Sequence, residues 1–289
     1  MDLFNFHEDQ ERRGLSYNLW RNFPVAQVLM LRDLNAGVGV YPNLASFDSS
    51  VDAAAATVRY GSDGARIYVD ASSTIKQLTK AQGGQAGGIR IFNTADNEEA
   101  WIQWGGDAGS PFCISDLAAE AAELVFEMAF RTDTITDSKA GFFLGLMEEG
   151  CAAANTITDA GALADKDYIG FHRLEGDGDT LELAYKKNGQ TAQTVKTDWK
   201  TIAVNTWYHV GFRYNPINKT VRAYFGTGDR ATRMRADDTN IITAANIEAN
   251  TFPDGEGLAP IAGGKNASAD DHNLDLRLVA CGQRALAAA

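Results

Sequence analysis

Carboxylates are the first residues to test for chemistry. Glycoside hydrolysis needs two of them close together on one strand face, one acting as the acid. The nearest approach is Glu175-Gly176-Asp177-Gly178-Asp179-Thr180-Leu181-Glu182. Its glycines read as a turn, not as a strand facing a cleft. Glu127 stands alone between Val125 and Ala129 on its strand face and is expected as a surface or edge carboxylate. No Gly-x-Ser-x-Gly elbow and no Gly-x-x-x-x-Gly-Lys phosphate loop occurs. His7, His172, His209 and His272 form no His-x-x-x-His pair, which argues against a zinc hydrolase. His209, inside a strand beside Tyr208, is expected as a packed or hydrogen-bonded imidazole. No catalytic, cofactor-binding or metal-ligating residue is assigned, and the chain is read as a non-enzyme. Structural calcium is the one ion weighed. Its candidates are Asp177 with Asp179 and Asp270 with Asp271, although turn acids are ordinarily just solvated.

Aromatic residues could stack on sugars. The glycan-binding candidates are Trp101, Trp104 and Trp207, with Trp199 also available. Trp101 and Trp104 point to opposite faces of an ideal strand, so at most one is open there, and core packing is the expected fate of most of them. Cys113, Cys151 and Cys281 are few, odd in number and far apart, which suits reduced, partly buried thiols better than a disulfide framework or a zinc site.

These residues need a scaffold. The chain has 289 residues, with 26 Lys and Arg against 38 Asp and Glu, a net charge of −12. That balance excludes general phosphate-backbone binding and an anionic membrane surface as partners. No apolar run reaches 18 residues, and the first residues lack the basic-then-apolar pattern of a secretory signal. Residues 1–64 read as an irregular arm, with a short helix expected over Val25–Leu31 after Pro24. Its large apolar groups, Trp20, Phe23, Leu29 and Tyr41, must dock on the main domain or on a neighbouring chain, and they are the interface candidates. Residues 65–289 read as one domain. Runs at 66–70, 88–92, 100–104, 123–131, 206–214 and 220–225 alternate with period two, and 141–147, 168–174, 181–187 and 274–280 are further strands. Many short strands between glycine and Asn/Asp turns predict an all-β sandwich or jelly roll.

Phe126-Glu127-Met128-Ala129-Phe130-Arg131, Gly141 to Leu146, Tyr168-Ile169-Gly170-Phe171, Trp207-Tyr208-His209-Val210-Gly211-Phe212 and Val221 to Gly226 follow one another in that order. This series resembles the concanavalin A-like (laminin-G-like) jelly roll, which implies two antiparallel sheets over roughly residues 66–282. The usual hydrolase pattern of that family, Glu-x-Asp-x-x-Glu, has no match here beyond the turn at 175–182. The closing segments Gly257–Ile261, Lys265–Ala269 and Leu274–Ala280 resemble jelly-roll proteins encoded beside bacteriophage head genes, with Ala267 where that ending has Gly. This second resemblance implies a decoration (cement) or minor head protein on the exterior of a tailed-phage virion. Its partners would be the major capsid protein and copies of itself, with a homotrimer implied by analogy. The alternatives are a carbohydrate-binding module for host adhesion and, more weakly, a glycoside hydrolase.

Overall fold

Alternation decides the layers. In Ala122–Thr132, Leu124, Phe126, Met128 and Phe130 fall on one side, and Val125, Glu127, Ala129 and Arg131 on the other. The computed structural model describes residues 15–21, 23, 30–33, 57–60, 65–78, 88–104, 110–115, 117, 122–228, 234–236 and 241–285. Two eight-stranded antiparallel sheets stack face to face. The first sheet runs β14 (Arg235–Ala236), β13 (Thr220–Thr227), β12 (Tyr208–Asn215), β7 (Ala122–Thr132), β16 (His272–Ala285), β5 (Ile89–Asn93), β4 (Thr74–Gln77). β1 (Met30–Asp33) pairs with the far half of β16, beyond the end of β5. The second sheet runs β11 (Gln193–Thr201), β10 (Thr180–Lys186), β9 (Tyr168–Arg173), β8 (Ala140–Glu148), β15 (Leu258–Asn266), β6 (Glu99–Gln103), β3 (Arg66–Val69), β2 (Thr57–Tyr60).

The facing sides of the sheets form one apolar core. Phe126 stacks on Phe212 at 5.2 Å, Phe171 on Trp199 at 5.1 Å and Tyr208 on Phe225 at 5.3 Å between ring centres. Each outer face carries a smaller apolar cluster under a covering segment. A one-turn helix, α1 (Tyr17–Trp20), with Leu15 and Phe23 beside it, lies on the first sheet against Val125, Ala129, Tyr224, Leu278 and Ala280. The β8–β9 connection lies on the second, where Cys151, Ala152 and Ile157 pack with Trp101, Phe143 and Tyr168. A second one-turn helix, α2 (Ala244–Ile247), is started by a capping box between Thr243 and Asn246.

The expected arm is partly sheet: β1 and β2 both lie within residues 1–64. Met30 and Leu31, expected on a short helix, are in β1, while residues 24–29 lie outside the described residues. β4, β11 and β15 were not expected from alternation. β11 is an edge strand with only Trp199 buried, and β15 is buried throughout, so neither shows a period of two. None of the three cysteines forms a disulfide among the described residues; burial pushes the Cys151 thiol up to about 12 and Cys281 well above its ordinary value, which keeps both inert.

Where β8 meets β9, two carboxyls share a site. Glu148 accepts from Lys166 Nζ at 2.7 Å and from the Asp167 amide at 3.1 Å. Burial, joined by the Glu148 charge and opposed by the Asn188 amide, raises Asp167 to about 6. A raised carboxyl weakens the fold as it ionises, so the effect is absent below about pH 4 and complete above about pH 6. Asp167→Asn is therefore expected to stabilise the protein by about 1 kcal/mol at pH 7, after discounting for solvent screening, and to change nothing at pH 4. Thermal melts at the two pH values check this.

Candidate functional site

The outer face of the first sheet brings together the polar groups that matter most. Glycines in the middle of two strands make room for the covering segment. A Cβ on Gly211 would lie 2.5 Å from Leu19 Cδ2, and one on Gly282 would lie 2.8 Å from Phe23 Cε1. Beneath α1 sits Glu127, fully buried, a correction to the expected surface carboxylate: the segment that buries it comes from more than a hundred residues away. Its oxygens accept from the Ser16 amide at 3.0 Å, Ser16 Oγ at 2.5 Å, Trp20 Nε1 at 2.6 Å and His209 Nδ1 at 3.0 Å. A carboxylate with four donors is a binding hub with no lone pair left for substrate. His209 is thus the hydrogen-bonded imidazole expected.

Further along the same face the surface opens into a polar cleft of about 190 Å³, lined by Glu123, Arg213, Asn215, Asn218, Thr220, Arg222 and Tyr224. β12 and β13 place it. Arg213 lies directly opposite Arg222, and Asn215 opposite Thr220, in a continuous register. Arg213 Nε donates to Glu123 at 2.6 Å, and Arg284 forms an ion pair with the same carboxylate. Arg213 Nη1 also donates to the carbonyls of Leu19 at 3.2 Å and Arg21 at 2.7 Å, so the covering segment fixes one wall of the cleft. The Thr220 hydroxyl donates to Asn218 at 2.7 Å. Arg222 is paired through its backbone in β13, and its side chain makes no hydrogen bond among the described residues. This group is not evident from the sequence, because Asn215-Pro216-Ile217-Asn218-Lys219 reads simply as a turn. Two like charges facing each other across a hairpin were the available signal, since such a pair needs an acid nearby.

The sequence candidates go elsewhere. Trp20 and Phe23 are fully buried against their own sheet, an edge-on pair 5.4 Å apart, and so are not open to a partner; Leu29 and Tyr41 lie outside the described residues. The glycan candidates Trp101, Trp104 and Trp207 are all buried. Trp101 donates to Glu99 under the β8–β9 connection at 2.7 Å. Trp104 joins the central core. The Trp207 ring is covered by the guanidinium groups of Arg277, at 4.0 Å from its centre, and Arg131, at 5.0 Å. None presents a free ring face to a sugar. Of the calcium candidates, Asp270 forms an ion pair with Lys139 at 2.9 Å and accepts from Ser268 at 3.1 Å. Asp177 groups with His172 and Glu182, not with Asp179. His7 lies outside the described residues, and His272 Nδ1 is 2.9 Å from Asp133.

No protein-family model matches the chain, and no curated protein matches it by sequence. Solved structures do. Peanut lectin, in a complex with a 9mer peptide, superposes with a TM-score of 0.51 at 13% identity, covering 80% of this chain and 98% of that one. The chain has the concanavalin A-like jelly-roll fold. Lectin II from Ulex europaeus (TM-score 0.48, 8% identity, 80% and 96% covered) and the potassium-bound carbohydrate recognition domain of Emp46p (0.42, 12%, 73% and 88%) also match. At these identities the likeness speaks for the fold alone, and nothing among these neighbours is a phage capsid protein.

Proposed function

We propose that this protein binds carbohydrate without cleaving it, through the cleft between β7, β12 and β13. The cleft carries the reading. Within one concavity it offers two guanidinium groups, two amides, a hydroxyl, a phenol and a carboxylate. A ring of sugar hydroxyls presents alternating donors and acceptors; the amide side chains answer both directions and the guanidinium groups donate, all with planar geometry. Its volume is below the ~300 Å³ where drug-sized pockets begin, which suits one sugar residue at the end of a glycan. The lectin fold of peanut lectin supplies a precedent, by analogy only. Binding without hydrolysis is supported by Glu127, a carboxylate already engaged by four donors.

The virion reading relied on an arm reaching a neighbouring subunit. Its described anchors, Trp20 and Phe23, are engaged within the chain, so the observations favour the carbohydrate alternative.

A glycan array tests the proposal. The wild type is expected to bind one glycan class saturably, and Arg222→Met is expected to weaken that binding about tenfold or more, the scale of a lost charged hydrogen bond. Trp207→Phe should leave it unchanged. A folded wild type that binds nothing on the array overturns the proposal.

A further inference from the structure

On the second sheet, opposite the one that carries the cleft, the β9–β10 hairpin gathers three groups that the proposed function does not use. His172 near the end of β9, Asp177 in the turn and Glu182 on β10 bring one ligand atom each to within 4.8 Å of one another. His172 and Glu182 are direct cross-strand partners, so the sheet itself fixes two of the three. Asp177 is fixed by its turn: its Oδ2 accepts from the Leu174 amide at 2.6 Å. Arg173, with no exposed surface, holds that turn in place by donating to the carbonyls of Gly178 and Ala140.

Two features separate this group from a solvated acidic turn. The His172 side chain is only 5% exposed, yet its buried Nδ1 has no hydrogen-bond partner; Asp177 Oδ2 is 3.6 Å away, beyond hydrogen-bonding distance. Its other nitrogen is 3.9 Å from Glu182 Oε2. One ion takes only one ring nitrogen; at Nδ1, the separation from Asp177 suits two ligands of one ion better than a hydrogen-bonded pair. The second feature is surplus negative charge. Asp198, at positive φ in an irregular stretch of β11 opposite β10, adds a third carboxylate nearby.

We propose that His172, Asp177 and Glu182 form a binding site for a first-row divalent transition ion such as Zn²⁺ or Mn²⁺. An imidazole with two carboxylates is a borderline donor set that favours such ions, whereas Ca²⁺ needs six to eight oxygens. Asp177 is 21% exposed and opens the site to solvent, leaving coordination positions for water. The ion would pin the hairpin turn to β9, a structural role independent of the cleft.

The test uses the full chain after treatment with a chelator. Calorimetric titration with ZnCl₂ at pH 7.5 is expected to show one equivalent bound. His172→Gln and Asp177→Asn should each weaken binding tenfold or more. Asp177→Asn keeps the oxygen that accepts from Leu174, so its fold is expected to survive even if His172→Gln does not fold. Co²⁺ substitution should give visible absorption that both variants lose. Zn²⁺ binding that is absent in the folded wild type, or unchanged in folded Asp177→Asn, overturns the proposal. Glycan binding by the wild type should be the same with and without Zn²⁺, which separates failure here from failure of the cleft.

Discussion

Glu127→Ala is expected to destabilise the protein by about 4 kcal/mol. The glutamate is fully buried and holds four donors, two from Ser16, one from Trp20 and one from His209. Its loss leaves the Ser16 amide and the Trp20 and His209 N–H groups facing an apolar cavity, and each unmet buried donor costs about 1–3 kcal/mol. Only part of that sum is recovered, because the short covering segment can lift and let water reach its own groups. Lifting exposes Val125, Ala129, Leu278 and Ala280 instead. Urea denaturation measures the loss, and proteolysis near residue 20 should become fast well below the unfolding midpoint. Glu127→Gln keeps the shape and two acceptor lone pairs, so it should cost roughly half as much. A variant Glu127→Ala within 1 kcal/mol of wild type would mean that the segment is not held as described.

Gly170→Val is expected to be worse tolerated than its conservative appearance suggests. Gly170 faces Gly145 directly across β8 and β9, and the Phe143 ring lies over both. A Cβ on Gly170 would sit 2.6 Å from Phe143 Cζ, 2.7 Å from the Leu144 carbonyl oxygen and 2.8 Å from Gly145 Cα. Two of those atoms are backbone and cannot swing aside. Relief requires either parting the two strands or ejecting Phe143 from its edge-on contact with Tyr168. The cost is about 3 kcal/mol or more, at the upper end of overpacking penalties. Gly176→Ala, by contrast, meets nothing within 4 Å; its φ of +95° alone makes it cost about 1 kcal/mol. A stability difference between these two variants of less than 1 kcal/mol would contradict the packing described for the second sheet.

The sandwich was legible wherever one strand face is apolar and the other polar. β7 and β12 are the clear cases, because the Phe and Tyr positions of both strands point into the same core. Legibility failed at the extremes of burial. β15 is enclosed on both faces and carries Pro260, Gly263 and Gly264, so its sequence looks like a loop. The tryptophans misled for a related reason. Trp101 and Trp207 do leave the central core, as their alternation implies, yet each is roofed, one by the β8–β9 connection and the other by Arg277 and Arg131. Roofs of this kind are long-range facts that periodicity does not carry. Two signals were present and unread. Gly211 and Gly282 in the middle of strands mark where Leu19 and Phe23 sit. The opposed pair Arg213 and Arg222 marks the polar cleft. The acidic stretch at 175–179 is a turn, as its composition implies, with β10 beginning at Thr180; the sequence does not show that β9 and β10 would bring His172 to it.

The cleft can be tested by mapping where a sugar touches the chain. Amide chemical shifts of isotope-labelled protein, recorded while titrating the best glycan from the array, report contact residue by residue. Carbohydrate binding at the cleft predicts saturable shifts concentrated at Glu123, Arg213 to Asn218 and Thr220 to Tyr224, and their loss in Arg222→Met. Saturable shifts centred on another surface, or none at all with a folded protein, would contradict it.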